Sequence, residues 1–174
     1  MKYYKYADEY SEIAPGMVYL ETNDGCAIRQ ITFNGKEYLS SNRKYPNGSM
    51  GLAEGQTDFD IIEEIIPISK QEFDEIWNTH LAIHQNEWNA TKEAYSIGKE
   101  VKGVIEIFFP QGVIVDLGGD ALGVADYAES RASTTWENMY PWHHITAIVE
   151  GYDEVNQWVI LGSPQVHKER TPRY

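Results

Sequence analysis

Short apolar-rich runs bounded by turn residues dominate the first third of the chain, the pattern of antiparallel strands. Met17–Glu21 reads as a strand, Asn23-Asp24-Gly25 as a turn, and Cys26–Phe33 as a second strand. Asn34-Gly35 then separates Cys26–Phe33 from a third strand, Lys36–Ser40. Both residues of an Asn-Gly pair accept positive φ, which a tight hairpin demands. Residues 42–57 read as a loop, punctuated by Pro46, Asn47-Gly48, Gly51 and Gly55. Asp58–Ile66 mixes acidic and apolar residues until Pro67 breaks it. Ser69-Lys70-Gln71-Glu72 matches a capping box, and Phe73, Ile76, Trp77, His80, His84 and Trp88 follow at helical spacing. One helix is expected from about Lys70 into the high eighties or low nineties, closing a first domain at residues 1–94.

The remainder, residues 95–174, changes to short strands: Ile97–Phe109, Val113–Leu117, Ala121–Ala125, His144–Glu150 and Gln157–Leu161. Five strands at this spacing predict a small barrel. The expected fold class is therefore α+β and β-rich: an antiparallel meander with one helix, then a five-stranded barrel.

Charge narrows the function. The 174 residues carry 14 Lys and Arg against 27 Asp and Glu, a net charge of −13. Such a surface repels phosphate backbones and anionic membranes and attracts basic proteins. The single cysteine, Cys26, excludes an internal disulfide and a cysteine-based zinc site. No apolar leader pattern opens the sequence and no run approaches a membrane span, so a cytoplasmic location is expected.

The second half resembles a known domain. The runs Ile97-Gly98-Lys99-Glu100-Val101-Lys102-Gly103-Val104-Ile105, Gly112-Val113-Ile114-Val115-Asp116-Leu117-Gly118, Val124-Ala125-Asp126-Tyr127 and Ile145–Asp153 resemble the RNA-binding OB-fold domain of ribosomal protein S-one. The resemblance covers about 75 residues and implies an OB barrel. That family stacks bases on aromatic residues of its second strand and uses a histidine on its third. Here those positions are Gln111, Ile114 and Ala125. Stacking contributes ~1–3 kcal/mol per base, so RNA binding is disfavoured. Phe108, Phe109 and Trp142 remain as an aromatic alternative.

The first half is similar to small immunity domains from bacterial polymorphic-toxin loci. The similarity rests on Gly25–Ile31, Tyr45-Pro46, Met50-Gly51-Leu52 and Ile68–Trp77. It implies a protein that neutralises a cognate toxin by stoichiometric binding. The charge map adds to this expectation. Glu54, Asp58, Asp60, Glu63, Glu64, Glu72, Asp74 and Glu75 fall within 22 residues that hold one base, Lys70. These eight are the candidate contacts for a basic toxin domain such as a nuclease, whose substrate cleft an acidic surface would fill. Phe59, Ile61, Ile62, Ile65 and Ile66 are interleaved with them, as apolar anchors of an interface or as core. The alternative is an RNA-binding regulatory protein using the barrel.

Catalytic patterns are weak. His80 and His84 have metal-sharing i, i+4 spacing, but Leu81 breaks the metalloprotease motif, so core packing is expected. His143 and His144 are adjacent and would point to opposite faces of a strand. The glycines at 118, 119 and 123 lack a phosphate-loop lysine, Gly162-Ser163-Pro164 is no nucleophile elbow, and Pro164 is expected to start a tail. Cys26 reads as a small apolar filler. No enzyme activity, cofactor or metal is expected.

Overall fold

The structure is a computed structural model that describes residues 1–172 of the chain. The chain divides into two compact units, Met1–Ile83 and His84 onward.

The first unit is a five-stranded antiparallel sheet. Its strands are β1 (Lys2–Asp8), β2 (Gly16–Asn23), β3 (Cys26–Phe33), β4 (Tyr38–Ser40) and the two-residue β5 (Ile66–Pro67), in the order β4-β3-β2-β1-β5. The expected meander is present, extended by β1, which sequence reading passed over, and by β5 on its far edge. Glu21 stands opposite Arg29, and Tyr4 opposite Leu20.

Both faces of this sheet are covered, so its strands bury residues on both sides. Helix α1 (Lys70–Ile83) lays Phe73 and Trp77 on Ile31, with Tyr3, Tyr19 and Tyr38 around them. Half of the capping box forms at its start: Ser69 Oγ accepts from the Glu72 amide at 3.1 Å, while the Glu72 carboxylate turns to Lys5. On the opposite face Tyr4, Val18, Leu20 and Ala27 meet Leu52, Ala53, Phe59 and Ile65. The loop at residues 42–57 and the acidic segment after it are thus the second layer of the unit.

The helix ends earlier than expected. A second helix, α2 (Gln85–Ala94), begins after His84 and belongs to the second unit, so the boundary lies at 83/84 and not after residue 94. Its Trp88 is buried with the core residues of the barrel. The amphipathic spacing runs through both helices because each needs an apolar stripe, and no Gly or Pro marks the break.

The second unit is a closed five-stranded mixed barrel. Its strands are β6 (Glu100–Phe109), β7 (Gly112–Gly118), β8 (Ala121–Ala125), β9 (His143–Asp153) and β10 (Trp158–Arg170). They run β10-β8-β7-β6-β9 and close through the antiparallel β9–β10 pair, with β10 parallel to β8. Ile105, Val113, Val115, Ile145, Val149 and Val159 fill the interior. Between β8 and β9 lies helix α3 (Tyr127–Ala132). Its start is capped by Asp126, which accepts from the Glu129 amide at 2.8 Å. Pro164 starts no tail. It lies inside β10 at a register shift between Gly162 and Gln165, where the missing N–H of proline costs no ladder bond, and pairing resumes beyond it. No helix among the described residues is long and apolar enough to cross a membrane.

Candidate functional site

The acidic segment starts where the chain leaves the loop layer of the first unit. Asp58 Oδ1 accepts from the Asp60 amide at 3.2 Å and starts a short 3-10 turn, Phe59–Ile61. Phe59 drops its ring to 5.3 Å from that of Tyr4, and Ile65 packs on the same cluster. These two residues are half-buried and anchor the segment to the core. Ile61 and Ile66 point the other way and are 79% and 53% exposed. Between them Glu63 and Glu64 are exposed and have no side-chain partner among the described residues.

The other acids are more engaged. Asp60 accepts from the Tyr4 hydroxyl at 2.8 Å and pairs with Lys2. The Lys2 hydrogen bond, then that of Tyr4, holds the Asp60 carboxyl below its ordinary range. Glu72 accepts from Lys5 at 2.8 Å. Asp74 pairs with Lys70 and lies 3.8 Å from Arg29. Glu75 accepts from Gln71 at 2.9 Å. Glu54 is exposed.

The eight acids do not form one patch. Glu72, Asp74 and Glu75 ride on α1, which covers one face of the sheet, whereas Asp58 and Asp60 belong to the layer on the other face. Edge strand β5 runs between the two groups. Lys2, Lys5 and Arg29, distant in sequence, are folded against Asp60, Glu72 and Asp74 and offset charges that the linear count left bare. What remains as an unneutralised surface with apolar anchors is Ile61, Glu63, Glu64 and Ile66. Beside the start of this segment, Lys2, Tyr4, Thr22, Asp24, Gln56 and Asp58 line an open groove of about 840 Å³.

The catalytic candidates have structural partners. His80 is buried, its Nε2 2.7 Å from Ser40 Oγ and 3.2 Å from Asn42 Oδ1, which tethers α1 to the end of β4. His143 is buried with Nδ1 2.9 Å from the His167 carbonyl, and His144 lies on the opposite, half-exposed face. Among the described residues no group of three or more His, Cys, Asp or Glu could hold a metal ion.

On the barrel, Ala125 is buried in the interior, Ile114 is buried on the face of β7 opposite Val113 and Val115, and Gln111 is half-buried. The aromatic alternatives are occupied within the unit. Phe108 meets Tyr127 edge-on at 6.0 Å, Phe109 lies 6.5 Å from Trp158, and the Arg170 guanidinium sits 5.6 Å over Trp142. Sequence reasoning missed a group of barrel carboxylates, Asp126, Glu129, Glu150, Asp153 and Glu154, that line one groove. The local run Glu150–Glu154 was its legible signal, but only strand closure brings residues 126 and 129 beside it. The chain matches no protein-family model, no curated protein and no solved structure.

Proposed function

We propose that the protein is a binding protein, not an enzyme, and acts as an immunity protein that neutralises a basic bacterial toxin domain by stoichiometric contact. The observation that carries this reading is the pairing of exposed Ile61 and Ile66 with unpartnered Glu63 and Glu64 on one short segment. Apolar anchors ringed by like charge suit a partner that offers a cationic, partly apolar face. The segment is held from beneath by Phe59 and Ile65, so it presents its anchors without prior ordering.

We also read the barrel as an OB fold. The reading is supported by the strand order, the parallel pairing of third and fifth strands, and the helix between third and fourth. RNA binding by this barrel has less support, because Ile114 and Ala125 offer no stacking surface.

The test is co-expression with the product of the adjacent reading frame. Growth arrest by that product alone, relieved by this protein and restored when Ile61→Ser is combined with Glu63→Lys and Glu64→Lys, is the expected result. A neighbour that is harmless, or protection that survives the triple variant, overturns the reading.

A further inference from the structure

We propose that the barrel carries a docking groove of its own for a cationic peptide segment with aliphatic side chains, independent of the surface on the first unit. The groove has a volume of about 540 Å³, within the range of ligand-binding clefts. Its floor is the unusual part. Val124 on β8 and Ile160 on β10 stand opposite each other across the parallel pair, and Ile160 is 37% exposed. The outer face of a closed barrel strand is where alternation puts polar residues. Here it carries an aliphatic pair, Ile160 exposed and Val124 half-buried.

The rim is anionic and contains no base. Asp126, Glu129, Glu150, Asp153 and Glu154 line it. Asp126 and Asp153 are fixed by neutral donors: Asp126 by the Glu129 amide, Asp153 by the amides of Val155 at 3.0 Å and Asn156 at 3.1 Å and by Asn156 Nδ2 at 2.8 Å. Those bonds hold the carboxylates in place and leave their charge intact. Glu154 alone meets a cation, Lys92 at 2.9 Å. Glu129 and Glu150 are exposed and have no side-chain partner among the described residues. An aliphatic floor selects against a bare polycation, and the anionic rim selects against nucleic acid and anionic lipid. An arginine- or lysine-rich peptide with interspersed leucine or isoleucine satisfies both.

The probe is a labelled, end-blocked nonapeptide alternating Arg and Leu, titrated onto the full-length protein by fluorescence polarisation, with a Glu-Leu peptide and an Arg-Ser peptide as comparisons. The Arg-Leu peptide is expected to bind in a salt-sensitive manner and the Glu-Leu peptide not at all. Glu129→Gln with Glu150→Gln should weaken binding about tenfold, and Ile160→Ser should weaken it comparably. Glu63→Gln with Glu64→Gln should leave it unchanged. Equal binding of the Arg-Ser peptide, indifference to the groove variants, or tighter binding of an RNA oligomer at the groove overturns the inference. Amide chemical-shift changes in the wild type provide a readout free of folding effects. Shifts at Val124, Glu150 and Ile160 support the groove. Shifts confined to residues 54–75 overturn it while leaving the toxin-binding surface standing.

Discussion

Glu21 and Arg29 face each other on β2 and β3 and form an ion pair beneath helix α1. Tyr3 donates to the same carboxylate at 3.1 Å, and the guanidinium lies 4.9 Å from the Phe73 ring centroid and 5.0 Å from that of Trp77. The helix is therefore seated on a charge as well as on apolar contacts. Removing one partner leaves the other buried. Glu21→Gln should destabilise the first unit by about 3 kcal/mol, whereas Glu21→Met with Arg29→Met should cost less than the single change. Amide exchange at Phe73 and Trp77 in urea measures both; a double variant weaker than the single one would refute the account.

The cap on α1 is a separate contribution. Ser69→Ala removes the acceptor for the Glu72 amide and should lower stability by about 1 kcal/mol, while Ser69→Asp should retain it. Chemical denaturation monitored by signals of the first unit separates the two variants.

Trp88 and Lys92 on α2 both reach Glu154 in the β9–β10 turn, at 2.6 Å and 2.9 Å. Burial pushes the Glu154 carboxyl up, but the Lys92 and Trp88 bonds outweigh it and leave the group below its ordinary value. A carboxylate depressed in this way adds stability above its unfolded pKa and loses it as pH falls through the folded value. Glu154→Gln should therefore be less stable than wild type at neutral pH, with the gap closing in acid below the ordinary carboxylate range. A gap of constant size between pH 7 and pH 3 would contradict this.

Gly103 sits on β6 where the barrel wall is tight. An added Cβ would come within 2.5 Å of Val115 Cγ1 and 2.6 Å of the Asp116 carbonyl oxygen. Gly103→Ala should cost about 1–3 kcal/mol, read as a lower melting temperature of the barrel. No loss of stability would mean that β6 and β7 yield freely there.

Ile61 should tolerate change. Its side chain is mostly in water, so Ile61→Ser should alter stability by less than about 0.5 kcal/mol. Phe59→Ser, which removes a ring from the Tyr4 cluster, should destabilise the unit by several times that amount. Thermal melts of both variants distinguish interface anchor from core.

Much of this fold was legible in the chain. Asn34-Gly35 announced a turn, Ser69 and Glu72 announced a helix start, and Gly118-Gly119-Asp120 set off the strand Ala121–Ala125. What escaped had physical reasons. Lys2–Asp8 mixes tyrosine with lysine, alanine and aspartate without strict alternation, and its burial depends on sheet and loop residues farther along the chain. The break at His84 carries no breaker residue, since it reflects two units competing for one amphipathic run. The acidic site was legible as composition but not as a surface. Counting along residues 54–75 could not show that Lys2, Lys5 and Arg29 fold back onto it, nor that a sheet divides it.

The parallel pairing of Val159–Leu161 with Gly123–Ala125 completes the ring of the barrel. It joins segments separated by more than thirty residues and by the whole β9 hairpin arm, a long loop to close before any reward is gained. During synthesis, β6, β7 and β8 emerge with one flank of β8 bare until the final strand leaves the ribosome. A nascent chain stalled before Leu161 therefore displays an adhesive strand edge. The barrel is expected to be the later unit to mature, and the first unit, built from neighbouring strands and one helix, the earlier.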